Sequence, residues 1–132
     1  MVLVDTSVWI DVLRDATGAR ARTFRTLLDG DEPVLSRFTA LELLQGCADD
    51  RSWLSLREYL DAQDYLEMSP STWADAARIY FDLRRQGRTI HSPVDCCIAQ
   101  LAVDHDVRLL HRDRDFITIA GSTRLVEQFV KW

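Results

Sequence analysis

Lysine is nearly missing from this chain: Lys131 is the only one, and the other residues among its 16 basic side chains are arginines. Cysteine is scarce and odd in number, with Cys47, Cys96 and Cys97 and two of these adjacent. That excludes a disulfide framework and predicts a reducing, cytoplasmic setting. No apolar run exceeds a few residues, so a membrane-spanning helix is excluded. The opening Val2-Leu3-Val4 lacks the charged and apolar regions of a secretory signal. Only five glycines are present, and none builds a phosphate-cradling loop. A serine nucleophile elbow and a His-Glu-x-x-His zinc motif are missing too.

What is present suffices for one domain over residues 1–132, at 47% hydrophobic content. The formal net charge of -5 argues against a simple basic coat for nucleic acid. Setting aside Asp5, Glu42, Asp95, Asp113 and Asp115 lowers the acidic count from 21 to 16, equal to the basic count. The surplus acidity is thus concentrated in five candidate site residues. Arginine forks suit phosphate contact, although an arginine-rich composition alone accounts for their number.

Val2-Leu3-Val4, Pro33-Val34-Leu35 and Val107 to Leu110 read as short buried strands, with a weak strand at Tyr65-Leu66-Glu67 and a last one at Arg124-Leu125-Val126. Helical patterns cover Ala19 to Leu28, Thr39 to Cys47, Ser52 to Ala62 and the long stretch after Ser69-Pro70 that Gly87 stops. Further helices follow Asp5 and Ser92-Pro93, and a short helical turn spans Asp115 to Ala120. The alternation predicts an α/β fold: an α/β/α sandwich with a mostly parallel sheet of four to five short strands flanked by helices.

Asp5, Glu42, Asp95 and Asp113 are each predicted to stand where a helix begins. Taken singly, each is explained as a cap. Asp is a favoured N-cap, Thr39-Ala40-Leu41-Glu42 matches a capping box, and Ser92-Pro93-Val94-Asp95 has an N-cap, a proline at the first helical position and an acid two residues on. Capping and metal binding are compatible, because a helix N-terminus favours the ionised form that a ligand needs. A parallel sheet gathers strand ends and helix starts on one edge. Carboxylates gathered there repel one another unless a cation sits among them, and oxygen donors select Mg²⁺ or Mn²⁺. Thr6, Ser7 and Ser92 add hydroxyls able to orient a ligand.

These blocks resemble the PIN-domain ribonucleases of the VapC toxin type. The matching pieces are Val-Leu-Val-Asp5-Thr6-Ser7-Val-Trp, Thr39-Ala-Leu-Glu42-Leu-Leu-Gln-Gly46, Arg84-Arg85-Gln-Gly87 through Ser92-Pro-Val-Asp95-Cys-Cys-Ile-Ala, and His111-Arg112-Asp113-Arg114-Asp115-Phe116. The resemblance implies that Asp5, Glu42, Asp95 and Asp113 form the family's acidic quartet, with Asp115 as an added ligand. It implies one or two Mg²⁺ or Mn²⁺ ions held by Asp5, Asp95 and Asp113, with Glu42 acting through water. It further implies hydrolysis of RNA leaving 5′-phosphate ends, a VapB-type antitoxin that covers the site, and a homodimer assembling into a heterotetramer or larger. Many members carry Thr or Ser two residues before the fourth acid, where this chain has His111.

Arg84, Arg85, Arg88 and Arg112 are candidate RNA contacts; the first three equally suit the helix C-terminal dipole. His91, His105 and His111 show no partner in the sequence, which assigns them surface or strand-end roles. The cysteines read as inert buried thiols rather than a zinc site, and Trp9, Trp53 and Trp73 as core or interface. Two other classes compete. A catalytically silent PIN fold that only binds RNA or protein would have lost quartet acids. A receiver-like signalling module would need a lysine at a strand end and paired acids after the first strand, and this chain has neither.

Overall fold

Side chains alternate across a strand, and here that alternation sorts the core into two layers. The computed structural model describes residues 1–132. The elements run β1 (Val2–Val4), α1 (Thr6–Arg14), α2 (Ala19–Leu28), β2 (Pro33–Val34), α3 (Arg37–Gln45), α4 (Asp50–Asp61), α5 (Pro70–Arg85), α6 (Pro93–Asp104), β3 (Arg108–His111), α7 (Arg114–Ala120) and β4 (Glu127–Phe129). The four strands form one parallel sheet in the order β2-β1-β3-β4. Leu3 and its register partner Leu109 point into a layer with Ala76, Ile79 and Leu83 of α5, Ile98 and Leu101 of α6, and Phe116 of α7. Val2, Val4 and Leu110 point the other way, onto Val8 and Trp9 of α1, Phe24 and Leu28 of α2, and Leu60 of α4. The result is the expected helix–sheet–helix sandwich. No helix is long and apolar enough to cross a membrane.

The parallel ladders place every strand's C-terminal end on one edge. The chain leaves β1 for β2 on one side and later returns to β3 on the other, so β1 and β3 flank a topological switch point. α5 and α6 stand on the same face behind it. The start of α5 is held by Thr72, whose hydroxyl accepts the Ser69 amide at 3.1 Å and donates to Asp104 of α6 at 2.7 Å. Its end closes in a Schellman turn, with Arg88 N–H on Leu83 O and Gly87 N–H on Arg84 O. Gly87 takes φ 74° there, a conformation that suits glycine.

Three expectations need correction. The weak strand at Tyr65-Leu66-Glu67 is only a single parallel bridge between Leu35 and Tyr65 beside β2. The last strand lies at Glu127–Phe129, after Arg124-Leu125-Val126 rather than on it. Leu125 anchors the core and Val126 is exposed, while the polar Glu127 and Gln128 are tolerated because β4 is an edge strand with water on one side. Finally, α3 starts two residues before Thr39, with Ser36 as its N-cap accepting the Thr39 amide. Glu42 is therefore inside the helix, and the capping-box reading of Thr39 and Glu42 fails.

Leu109 is fully buried at the sheet centre whereas Val126 is 61% exposed. Leu109→Ala is expected to cost about 3 kcal/mol in urea unfolding, and Val126→Ala less than about 0.5 kcal/mol.

Candidate metal centre

Asp5 follows β1 directly and caps α1. Its amide donates to Leu110 O at 2.9 Å, joining the ends of β1 and β3. Its Oδ2 accepts both the Ser7 amide at 3.0 Å and the Ser7 hydroxyl at 2.5 Å. Ser7 Oγ in turn accepts the Arg112 amide at 2.9 Å. One hydroxyl thus ties the first acid to the backbone just past β3, across 105 residues of chain.

Glu42 reaches the same edge from the middle of α3. The Thr6 hydroxyl lies 3.0 Å from both Glu42 Oε1 and Thr39 Oγ1 and has one proton to share between these two acceptors. Ser36 closes this buried polar chain at the start of α3, its hydroxyl donating to Thr39 Oγ1 at 3.3 Å. Asp113 caps α7, its Oδ1 accepting the Asp115 amide at 2.9 Å. Asp115 sits in the first turn of α7 and is 9% exposed. Its Oδ2 accepts the backbone N–H of His91 at 3.0 Å and faces His91 Nδ1 at 2.9 Å.

Asp95 differs from the rest. It lies in the first turn of α6 behind the Ser92 cap and the N1 proline, as its sequence predicts. Ser92 spends its hydroxyl on the Val94 amide at 3.2 Å. The Asp95 carboxylate receives no hydrogen bond at all. Burial, then the charges of Asp113, Asp5, Asp115 and Glu42, push it from the usual carboxylate range up to about 7. Burial likewise raises Asp5, against the Ser7 hydrogen bonds and with Asp113 adding to the rise. Glu42 is raised by burial and by Asp5, against the Thr6 hydroxyl.

The five acids therefore form one electrostatic unit, and oxygens of Asp95, Asp113 and Asp115 lie within 4.8 Å of one another. Asp5, Glu42, Asp113 and Asp115 each spend one carboxylate oxygen on the scaffold and leave the other without a protein donor. No arginine or lysine forms an ion pair with any of them. The donor set is all oxygen, anionic and preoriented, which fits a hard divalent cation. Asp95, Asp113 and Asp115 form the tightest three, and Asp5 stands outside them.

The candidate arginines divide. The Arg112 guanidinium is engaged by Asp11 at 2.8 Å and by Val130 O at 2.6 Å, which makes it a tie between α1 and the C-terminal segment. Arg84 and Arg85 are exposed on the last turn of α5 beside Tyr80 and Phe81, and Arg88 follows them in the exposed loop leading to Ser92. The histidines have partners that the sequence does not show. His91 meets Asp115, His105 meets Glu67 O at 3.2 Å, and His111 is fully buried between Asp113 and Glu127. The His91–Asp115 contact raises the His91 pKa, chiefly through the hydrogen bond. The cysteines are free, and burial drives the Cys96 thiol up to about 12, as expected of an inert group. Trp9 is core, while Trp53 is 37% and Trp73 54% exposed.

A carboxyl whose folded pKa lies above its unfolded one favours folding through its extra proton at low pH. That contribution is lost as pH rises to about 7, the value reached by Asp95. Asp5, Glu42 and His91 shift in the same direction. In EDTA the protein should melt higher at pH 5 than at pH 8. Asp95→Asn should raise the pH 8 melting temperature and shrink the difference, and Mn²⁺ should protect the native protein more at pH 8 than at pH 5. A thermal melt series across pH checks all three.

Comparisons with known proteins find relatives along nearly the whole chain. A family model for the PIN domain matches residues 2–122. Ribonuclease VapC11 of Mycobacterium tuberculosis and VapC ribonuclease Mb1587 of Mycobacterium bovis are each 35% identical over 133 residues, covering 95% of this chain and 96% of the relative. Among solved structures, VapBC2 from Rickettsia felis bound to a promoter DNA fragment superposes with a TM-score of 0.79 at 14% identity, covering 99% of this chain and 100% of the other. DNA-bound VapBC from Salmonella typhimurium gives 0.77 at 20% identity, covering 98% of each chain. The last two likenesses carry the fold, and the first two carry kinship across the whole chain. Matched over residues 2–122 and 35% identical to these relatives across its length, this chain belongs to the PIN-domain family, among the VapC-type ribonucleases.

Proposed function

We propose that this chain is a metal-dependent endoribonuclease that hydrolyses RNA phosphodiester bonds as the toxin of a type II toxin–antitoxin pair. The observation that carries the reading is Asp95: a half-buried carboxylate with no donor, facing four other acids that no arginine or lysine neutralises. Such an arrangement is tolerable with a divalent cation in place, and family membership supplies the reaction. Mg²⁺ or Mn²⁺, as one or two ions, suits the all-oxygen donors. Bound there, the ion supplies Lewis acidity and lowers the pKa of water for attack on phosphorus.

The chain's own residues do the positioning. Asp95 offers both oxygens; Asp113 and Asp115 offer one each from the start of α7, and Asp5 offers its Oδ1 from the end of β1. Glu42, held by Thr6, stands at the margin of the group, where it orients water rather than binding directly. Ser7 and Thr6 keep two of these acids aimed and take no part in bond breaking. Ser92 sets the start of α6 and so the height of Asp95. Attack by water rather than by the ribose 2′-hydroxyl leaves 5′-phosphate and 3′-hydroxyl ends.

Partners follow from the family and from exposed apolar surface. An open groove lined by Ile10, Leu13, Leu43 and Leu56 runs beside Glu42, placed for an apolar segment of a VapB-type antitoxin that covers the site. A second groove, with Phe38, Met68 and the exposed Leu41 and Trp73, supports self-association into a homodimer and hence a heterotetramer or larger with antitoxin.

Asp5→Asn and Asp95→Asn should lower RNA cleavage with Mg²⁺ or Mn²⁺ by at least about a hundredfold, since ligand loss exceeds the loss seen on removing supporting groups. Cleavage by correctly folded variants at the native rate would sink the assignment. Arg84, Arg85 and Arg88 form the phosphate-gripping rim. Replacing each with Gln should reduce the slope of log binding constant against log salt by about 0.7 for every phosphate of single-stranded RNA that is no longer neutralised, with Mn²⁺ affinity unchanged.

A further inference from the structure

His111 ends β3 with no exposure to solvent, its ring packed against Phe116 and Phe129 at centroid distances of 5.0 and 5.6 Å. A buried imidazole must satisfy both nitrogens. Here Nδ1 accepts the backbone N–H of Asp113 at 3.1 Å, and Nε2 lies 2.6 Å from Glu127 Oε2. Because Nδ1 receives an amide proton it carries none of its own, so the ring proton sits on Nε2 and is donated to Glu127. The carboxylate fixes the tautomer, the tautomer makes Nδ1 an acceptor, and the acceptor holds the Asp113 peptide.

That peptide matters. Asp113 is the N-cap of α7, and the hydrogen bond on its N–H holds the backbone from which its carboxylate projects. Asp113 Oδ1 then caps the Asp115 amide, so one orientation governs two of the three acids in the tightest cluster. Glu127 belongs to β4, an edge strand beyond the residues that the PIN family model matches. Nothing in the sequence near Asp113 marks it.

We propose that Glu127 and His111 act as a pair of positioning residues, through which the edge strand β4 sets the aim of Asp113 and Asp115 at the metal centre. Carboxylate–histidine partners that orient a ligand are worth about ten- to a hundredfold in metal affinity or activity when removed. The inference rests on Asp113 being a metal-facing acid.

The test measures direct Mn²⁺ binding by calorimetry, steady-state RNA cleavage, melting temperature and the Asp113 amide resonance for Glu127→Ala, Glu127→Gln and His111→Leu. Glu127→Ala is expected to weaken Mn²⁺ binding about tenfold, lower kcat with KM for RNA unchanged, and shift the Asp113 amide in the metal-free protein. Glu127→Gln keeps an acceptor for Nε2–H and should restore most of each. His111→Leu should lose as much as Glu127→Ala or more; because its burial makes it prone to misfold, the partly exposed Glu127 variants decide the matter. A lowered melting temperature with Mn²⁺ affinity and the Asp113 amide unchanged would make the pair a packing contact and overturn the proposal. Native protein that binds no Mn²⁺ would instead sink the metal-centre reading on which it depends.

Discussion

Repulsion among carboxylates is the constraint from which the rest of this structure takes its shape. Five acids meet at one sheet edge without a compensating arginine or lysine. Such a grouping destabilises the fold in the ionised, metal-free state. It survives because the sheet and its helices are anchored elsewhere, by two apolar layers that contain none of these side chains. The burden falls most on Asp95, the one acid to which the scaffold offers no donor.

The scaffold treats the other four acids alike. Ser7, Thr6, the Asp115 amide and the His91 amide each claim one carboxylate oxygen and leave its twin unclaimed. Orientation and charge are thereby separated: hydrogen bonds fix direction, and the unclaimed oxygens keep the negative potential available for a cation. Several of the donors belong to segments that serve the fold as well. Ser7 joins the ends of β1 and β3, and His91 lies in the loop that links α5 to α6. These contacts couple the acids to the strand ends, so displacement of either strand end would misalign them.

Much of this is readable in the chain. Asp5, Asp95 and Asp113 do stand at helix starts, because an acid near the first amides is a local preference that the sequence carries in its neighbours. Glu42 is the instructive failure. Thr39 and Glu42 have capping-box spacing, yet Ser36 takes the cap and Glu42 sits deeper in α3. Glu42 does reach the acidic edge, but not as a cap, since two hydroxyls could cap and only packing selects between them. The reduction of the Tyr65 segment to a single bridge and the position of β4 escape the sequence for a related reason. Short edge strands owe their existence to a partner's ladder more than to their own apolar content.

The sequence by itself determined the fold class, the family and which acids would gather at one sheet edge, because strand periodicity, helix starts and motif order are properties of neighbouring residues. Only the tertiary structure decided which acids share the tightest space, that Arg112 is bound to Asp11 and the C-terminal segment, and that His91, His111 and Glu127 support the acids. Apart from the neighbouring Asp113 and Asp115, these contacts join residues 16 or more positions apart, or belong to a fully buried ring whose two nitrogens need two different partners. Distances of that kind are set by how β1, β3 and β4 align in the sheet, and no local pattern in the chain encodes that alignment.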